Sequence, residues 1–369
     1  MREARAVIVG AGLAGAATAY HLARRGVAPV LLLEQERAPG MHSSGRNAAM
    51  VRQVVSDPAI AALAREGARA IGAFSSGRER LGFQAGGSLL LASLERAEFL
   101  EREMGLAREA GLGAELWSRA QAAARVPVLE GAEFDVGCYC LSDGVVDVAG
   151  LLQCYLRGAR EGGAELVLGS EVSEVITRAG RVAGIRAGDL EVAAPVVVDA
   201  AGAWAAALAS RAGASPIPLT SLRRHLMFTG ALRQVSREWP FVWNVSHEVY
   251  FRPESDGLLL SPCDATEAPP GVPETDPAAA ELLHEKLSRA FPRLSDVPLA
   301  RTWAGLRIFS PDGRFIIGPD PTLEGFFWAA ALGGHGVTTS SAVGALAADL
   351  VMSPERDASN PFSPGRFAR

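Results

Sequence analysis

Lysine is almost absent from this chain, because 35 of its 36 basic residues are arginine and only Lys286 is lysine. That residue lies in the segment 281–287, whose pattern is typical of a solvated helix face, so Schiff-base chemistry is not expected. The net charge is −5 and no run of basic residues occurs. These features disfavour nucleic acid or an anionic membrane as a partner.

Cysteine is also scarce, and the four residues have no spacing typical of zinc ligands. Cys138 and Cys140 alternate on a predicted strand instead of forming a C-x-x-C pair, while Cys154 and Cys263 stand alone. We interpret all four as buried free thiols and expect no metal site.

Long hydrophobic runs are missing. The longest candidate, residues 193–209, is interrupted by Pro195 and Asp199, so no transmembrane segment is expected. The amino terminus has no basic region before an apolar one, which argues against a secretory signal and favours a soluble, cytoplasmic protein. With 369 residues and 49% hydrophobic content, the chain can bury a large core, and its length suggests two domains.

Glycine is abundant, and its most informative placement is near the amino end. The run 6–9 is apolar and leads into Gly10-Ala11-Gly12-Leu13-Ala14-Gly15, a G-x-G-x-x-G turn. A helix is predicted from Leu13 to Arg25, followed by a second apolar strand at 30–33 that ends at Glu34. Strand, turn, helix, second strand and acid in this order predict a dinucleotide site.

Each residue type in this motif has a mechanical role. Gly10 permits the tight turn, Gly12 leaves room for a pyrophosphate, and Gly15 allows helix and strand to pack closely. Glu34 is placed to accept a hydrogen bond from a ribose hydroxyl, and its charge would repel the 2′-phosphate of NADP. The motif does not separate NAD from FAD, although its position at the amino end favours FAD.

Two further segments are candidates for cofactor contact. Residues 39–50 form a loop of small residues with hydroxyls and one arginine, which we expect to enter a helix and which suits a contact with a pyrophosphate or ribityl chain. An ordinary Ser/Gly loop is the alternative, and local composition favours it. Gly333-Gly334-His335-Gly336 is predicted to open a helix over 337–352.

The rest of the chain suggests the domain layout. Residues 56–126 are predicted to be mostly helical with a strand at 88–91, and residues 163–202 are dense in strands. Residues 216–298 are rich in proline and typical of an antiparallel sheet that faces the cofactor. The tail after Pro354 is expected to be poorly ordered.

Several motifs together resemble the D-amino-acid oxidase superfamily, nearest to its glycine oxidase, sarcosine oxidase and D-amino-acid dehydrogenase branches. The resemblance spans nearly the whole chain. The segments that carry it are 10–34, His42-Ser43-Ser44-Gly45-Arg46, Thr302-Trp303-Ala304-Gly305-Leu306-Arg307, Gly325-Phe326-Phe327-Trp328 and 333–336.

The resemblance implies an α/β fold in which a Rossmann-like FAD-binding domain carries an inserted antiparallel-sheet substrate domain. The FAD domain would be discontinuous, comprising residues 1–80, 141–215 and 305–369. The substrate domain would comprise residues 81–140 and 216–304.

The same resemblance assigns residues to the cofactor. Beyond Gly10, Gly12, Gly15 and Glu34, it places the adenine end at Ala14, Gln35 and Val172. It places pyrophosphate and flavin contacts at Ser43, Ser44, Arg46, Asn47 and Ala48, and the ring at Gly333, Gly334, Gly336, Val337 and Thr338. A helix amino terminus aimed at the pyrimidine side of the ring would stabilise the anionic reduced form.

For the substrate, the resemblance implies a carboxylate held by Arg307 and Tyr250, with Arg224 as a second cation. A guanidinium can bind a carboxylate with two hydrogen bonds and so fix Cα–H toward flavin N5. His335 stands where an aromatic often caps the site. It is a candidate acid–base group, although we interpret it as part of the pocket wall, since oxidation by hydride transfer needs only a neutral amine.

Departures from the family pattern refine these expectations. No cysteine lies near Gly305, so non-covalent FAD is expected. The strand 258–260 offers leucines where sarcosine oxidases have an oxygen-activating lysine, which favours a dehydrogenase or a slow oxidase. The stretch Gly86-Gly87-Ser88 lacks the acid that selects cationic D-amino acids, and Arg52, near Met50, favours an acidic side chain.

The leading hypothesis is therefore oxidation of the Cα–N bond of a small D-amino acid, glycine or N-methyl amino acid to an imine, which water hydrolyses to a 2-oxo acid. The alternatives are an FAD-dependent 2-hydroxy-acid dehydrogenase and a flavin-binding subunit that needs a partner for activity. The electron acceptor, oxygen or a quinone, stays open.

Overall fold

The structure is a computed structural model that describes residues 2–77 and 79–368. The helices are α1 (Leu13–Arg24), α2 (Pro58–Ser76), α3 (Ala97–Glu109), α4 (Arg119–Arg125), α5 (Val148–Glu161), α6 (Ala205–Ala212), α7 (Ala278–Ala290) and α8 (Ser340–Met352). The strands are β1 (Arg2–Glu3), β2 (Ala6–Val9), β3 (Val30–Leu33), β4 (Met50–Val51), β5 (Phe83–Gln84), β6 (Ser88–Ala92), β7 (Ala114–Trp117), β8 (Val136–Cys140), β9 (Gly144–Val146), β10 (Ala164–Val167), β11 (Glu174–Arg178), β12 (Arg181–Ala187), β13 (Leu190–Ala193), β14 (Val197–Asp199), β15 (Thr220–Phe228), β16 (Phe241–Asn244), β17 (Val249–Glu254), β18 (Gly257–Ser261), β19 (Thr266–Glu267), β20 (Arg301–Phe309), β21 (Ile316–Pro319) and β22 (Phe326–Ala330).

A six-stranded sheet in the order β10-β3-β2-β14-β22-β21 brings together three distant parts of the chain. Its strands are parallel except β21, which runs antiparallel to β22. Ile8 and Leu32 pack toward the α1, α5 and α8 face, whereas Val7 and Leu31 pack toward the smaller β1-β13-β12-β11 sheet and α6. Apolar cover on both faces explains why β2 and β3 are uninterrupted apolar runs.

A second, larger sheet has the order β19-β15-β18-β17-β16-β6-β8-β7, and β20 also pairs with β15. Its strand pairs are antiparallel except β6 with β16, which is parallel. The prediction of a wholly antiparallel sheet was therefore wrong at this one pair. Strand β20 crosses the predicted domain boundary at residue 305. The predicted hairpin of β17 and β18 is present, with Glu254 paired to Gly257.

Other local predictions had mixed outcomes. Helix α1 and strand β6 match their predicted ranges within one residue, and all four cysteines are buried and free. Helix α8 begins at Ser340, three residues later than predicted, because 333–339 form turns. The segment predicted as mostly helical, 56–126, also contains three strands. Of the described helices, none is both long and apolar enough to cross a bilayer.

Two predictions were wrong. The loop 39–50 does not enter a helix: it consists of turns that lead into β4, since Ala49 has a φ of 56°. The tail after Pro354 is ordered. Phe362 is buried and stacks on Phe315 with ring centroids 5.5 Å apart, while Arg366 donates to Asp312 at 2.7 Å and to backbone carbonyls. These contacts involve residues about fifty positions earlier, which local composition cannot reveal.

Two glycines of α2 offer a matched test of its packing against the turn before α8. A Cβ on Gly67 would lie 1.9 Å from the carbonyl oxygen of Thr338, whereas a Cβ on Gly72 would meet no atom within 4 Å. We expect Gly67→Ala to reduce the free energy of unfolding by about 1–3 kcal/mol through overpacking. Gly72→Ala should raise it by about 0.5–1 kcal/mol through helix propensity. Denaturant titration of both variants checks this, and equal responses would contradict it.

Candidate active site

A cleft of about 410 Å³ runs along the carboxyl ends of β2, β3, β14 and β22 and reaches the larger sheet, the usual place for a ligand in an open α/β fold. It brings together most residues singled out from the sequence: Gly10, Gly12, Ala14, Glu34, Gln35, Ser43, Ser44, Asn47, Ala48, Val172, Arg224, Tyr250, Arg307, Gly333, Gly334, His335, Gly336, Val337 and Thr338. Gly15 and Arg46 do not line it.

The glycine turn shapes one end of the cleft. Gly10 has a φ of 102°, and a Cβ there would lie 2.5 Å from the carbonyl oxygen of Ala200. A Cβ on Gly15 would lie 1.9 Å from the carbonyl oxygen of Gly10, so this glycine permits the close packing of α1 on β2. It supports the shape of the turn without lining the cleft itself. Gly12 precedes α1 and leaves its amino terminus open to the cleft.

Glu34 is fixed beside this turn. Its Oε2 accepts from the Ala11 N–H at 2.8 Å and its Oε1 accepts from the Glu36 N–H at 3.0 Å. The carboxylate is buried but lines the cleft. Each oxygen retains a lone pair, so the group can still accept from a ligand hydroxyl.

The loop after Glu34 is organised by its own side chains. Ser44 accepts from the Leu13 N–H at 2.9 Å, and Asn47 donates to the carbonyls of Ser43 and Ser44 while accepting from the Ala49 N–H. Arg46 donates instead to the carbonyls of Met41 and Ala304, at 3.4 and 3.5 Å. Its role is therefore to join the loop to β20.

The second glycine segment forms a turn at the other end of the cleft. Gly333 has a φ of 51° and donates its N–H to the Ile308 carbonyl at 2.9 Å, which attaches the turn to β20. Gly334 is exposed, and a Cβ there would meet no atom within 4 Å. Thr338 accepts from the Arg52 N–H at 3.0 Å. At Gly334 the turn therefore presents backbone to the cleft without a side chain, while His335, Val337 and Thr338 of the same turn also line it.

Sheet register brings two arginines to one face beside this turn. Arg224 on β15 pairs with Gly305 on β20, and Arg307 lies two residues further along β20. Such diagonal positions share a face. Arg223, the neighbouring residue on β15, points to the opposite side and pairs with Asp276 at 2.9 Å.

Arg307 is 9% exposed, and the one hydrogen bond of its side chain among the described residues is from Nη1 to the carbonyl of Leu306 at 3.3 Å. Burial lowers its pKa. Tyr250 is buried nearby, and burial raises its pKa, against the opposing effect of the positive charges of Arg307 and Arg224. The phenol therefore stays a neutral donor near pH 7, next to a guanidinium with unused donors.

His335 lies in the glycine turn and faces the same space. Desolvation, followed by the positive charge of Arg52, lowers the pKa of His335 to about 3. The imidazole is therefore neutral throughout the physiological range.

The structure adds residues that the sequence interpretation did not assign to the site. Trp243 on β16 lines the cleft next to Tyr250, with ring centroids 6.1 Å apart, and Arg52 lies over its indole at 4.7 Å. Strand β16 was not predicted, so no sequence signal marked Trp243. In contrast, the stretch Gly86-Gly87-Ser88 lies outside the lining.

The geometry of the cleft defines the class of protein as a dinucleotide-binding α/β protein. Three features of the cleft fit FAD. Gly10 and Gly12 leave room for the pyrophosphate, Glu34 can accept from a ribose hydroxyl, and Gly334 leaves open backbone for the flavin ring. The FAD dependent oxidoreductase family model, DAO, matches residues 5–350. The chain belongs to this family of FAD-dependent enzymes.

Known proteins agree with this assignment. The chain is 32% identical over 215 residues to hydrogen cyanide synthase subunit HcnC of Pseudomonas aeruginosa, covering 57% of this chain and 50% of that protein. It is 25% identical over 376 residues to human mitochondrial sarcosine dehydrogenase, covering 96% and 40%. It thus spans half the length of these relatives or less.

Among solved structures, glycine oxidase from Geobacillus kaustophilus is 25% identical, with a TM-score of 0.83 and 98% of each chain covered. This similarity confirms the predicted α/β fold with a Rossmann-like FAD-binding part.

Because the folded protein disfavours protonation of His335, the unfolded chain binds more protons as the pH falls below 6.5, and stability decreases. We expect His335→Asn to remove this loss, so that the variant gains stability relative to the parent as the pH falls from 7 to 5. Unfolding curves at several pH values measure it. His284→Asn, at an exposed histidine, is the control. A difference that does not change with pH would contradict a depressed pKa.

Proposed function

We propose that this protein oxidises the Cα–N bond of a small amino acid or N-alkyl amino acid. Two electrons and one proton leave Cα as a hydride, the nitrogen loses a proton, and a C=N bond forms. Water then adds to the imine carbon and the C–N bond breaks, which releases a 2-oxo acid and an amine or ammonia. FAD, the cofactor of the family, supplies the hydride acceptor at its N5.

The observation that carries this proposal is the buried guanidinium of Arg307 at one end of a cleft whose other end is a dinucleotide turn. A substrate carboxylate would pair with Arg307, accept a hydrogen bond from the Tyr250 hydroxyl, and interact with Arg224. This arrangement fixes the orientation of Cα without contacting the bond that is oxidised.

The residues around the cleft suggest how each part of FAD is held. Glu34 and Val172 flank the space for adenosine, and Gly12 with Ser44 that for the pyrophosphate. The Gly333–Thr338 turn would face the ring, with neutral His335 in the wall. None of the four cysteines lines the cleft, which supports non-covalent attachment.

The names of similar proteins support an amine substrate. One relative is a sarcosine dehydrogenase and one structural neighbour is a glycine oxidase, so both are named for oxidising small amines that carry a carboxylate. HcnC is named as a subunit. This name supports a second candidate function, that of a flavin-binding subunit whose activity depends on a partner.

A substrate panel separates these functions. Anaerobic mixing of the FAD-loaded protein with glycine, N-methylglycine, D- and L-amino acids and 2-hydroxy acids is expected to bleach the flavin with amines. Bleaching by hydroxy acids alone would instead support a 2-hydroxy-acid dehydrogenase. No bleaching by any compound would support the subunit that needs a partner.

Arg307→Ala should raise KM for the amine roughly 10- to 100-fold, because a charge-assisted hydrogen bond to the carboxylate contributes about 1.5–3 kcal/mol. Steady-state kinetics with the best amine of the panel measures this. Arg301→Ala removes an exposed arginine of the same strand and should leave KM unchanged. Equal effects of the two substitutions would refute the carboxylate assignment.

Reoxidation identifies the electron acceptor class. The one lysine, Lys286, donates to the carbonyls of Pro262 and Glu248 at 2.7 and 3.1 Å and does not line the cleft. We therefore expect the reduced protein to react more slowly with dissolved oxygen than with a quinone dye. Stopped-flow reoxidation compares the two, and a faster reaction with oxygen would mark the protein as an oxidase.

A further inference from the structure

The substrate end of the cleft holds more positive charge than one carboxylate requires. Arg52, Arg224 and Arg307 all line it. The acidic residues of the lining, within the described part of the chain, are Glu34 and Glu171, and both are engaged: Glu34 with backbone N–H groups and Glu171 with Arg211 at 3.8 Å. Three cations therefore face a space without a carboxylate of its own.

Arg52 is distinct from the other two. Its guanidinium lies over the indole of Trp243 at 4.7 Å, and the Trp243 and Tyr250 rings are neighbours with centroids 6.1 Å apart. Tyr250 in turn interacts electrostatically with Arg307 and Arg224. Trp243 and Tyr250 thus connect the position of Arg52 to the pair Arg224 and Arg307 through successive contacts.

Protein groups leave the Arg52 guanidinium unused. Across residues 2–77 and 79–368, no carboxylate lies within 4.0 Å of it, and the hydrogen bond that Arg52 makes to Thr338 uses the backbone N–H. Glu103 and Asp143 act on Arg52 electrostatically and partly offset its charge. Asp143 already accepts from Ser88 at 2.7 Å and from Gln53 at 3.0 Å.

The partial burial of the Arg52 guanidinium, without a partner from the protein, favours a role in binding an anion. Burial lowers the pKa of Arg52, as expected for a cation withdrawn from water. Its five donors are suited to planar, bidentate capture of an anion, and cation–π contact with Trp243 fixes the plane. Purely structural arginines nearby behave differently, since Arg252 pairs with Glu254 at 2.6 Å and Arg314 with Asp57 at 2.7 Å.

We propose that the physiological substrate is an amine with two carboxylates, an amino- or imino-dicarboxylic acid, whose second carboxylate binds Arg52. This inference rests on the proposed function and names its substrate class. For iminodiacetate, the simplest imino-dicarboxylic acid, oxidation and addition of water yield glyoxylate and glycine with the loss of two electrons and two protons, which FAD would accept when bound. The first carboxylate binds Arg307 and Tyr250, and the indole of Trp243 lies between the two anchors.

Binding and turnover test the proposal separately. Succinate and butyrate have the same number of carbons but differ in one carboxylate, and neither has a nitrogen to oxidise. Succinate should perturb the flavin absorbance of the FAD-loaded protein at roughly 10- to 100-fold lower concentration than butyrate. The ratio of kcat/KM for iminodiacetate to that for N-methylglycine should favour the diacid by a similar factor.

Arg52→Met should remove both preferences, and Arg52→Lys should retain part of them, since it keeps the charge but loses the planar fork. Arg69→Met removes an exposed arginine of α2 and is the matched control, in which both preferences persist. FAD content and Tm of each variant identify a merely structural effect, which would weaken monoacids and diacids equally and overturn the proposal.

The possible failures are distinguishable. Reduction of the flavin by N-methylglycine and iminodiacetate alike, with no preference for succinate, would overturn the dicarboxylate inference and leave the proposed function intact. A succinate preference that depends on Arg52, without reduction by any amine, would support the second carboxylate site and refute the proposed oxidation.

Discussion

The pairing of β15 with β20 is the interaction on which the candidate site depends. Nine residue pairs from Thr220–Phe309 to Phe228–Arg301 hold the two strands in one register, and this register sets Arg224 and Arg307 on the same face. The same β20 receives the Gly333 N–H through Ile308, so the strand that carries the anchor also carries the turn for the flavin ring. A shift of one strand by one residue would place the two arginines on opposite faces of the sheet.

The local features of the sequence were sufficient for the dinucleotide half. Strand β2, the glycine turn, α1 and Glu34 are contiguous, and each residue type follows from backbone geometry, so pattern and structure agree. The prediction of a poorly ordered carboxyl-terminal tail was wrong because the contacts that order it are distant in sequence. Its order depends on Phe362 against Phe315 and on Arg366 against residues near 312, and a composition rich in Ser, Pro and Arg gives no sign of such distant contacts.

The substrate end of the cleft could be predicted from the sequence only in part. Arg307, Tyr250 and Arg224 could be named because they match a family pattern, and the structure brings them to one cleft, but their roles stay predictions. Trp243 could not be found, because β16 pairs with β6 from a distant segment and no local alternation singles out its third residue. The sequence indicates only that Arg52 is a positive charge near Met50. Its meaning depends on which groups fail to pair with it, which only three-dimensional contacts reveal.

The scarcity of lysine gains a physical meaning at this end of the cleft. Several cations placed close together and partly desolvated lower one another's pKa, and Arg224 acts on Arg307 in this direction. An ammonium group in such a setting readily loses its proton, because its pKa starts near 10.4. A guanidinium starts at least two pKa units higher and stays charged near neutral pH. Arginine therefore allows positive charge to be held in the cleft before an anion arrives, so that the carboxylates of a substrate meet preorganised donors rather than groups that must first be protonated.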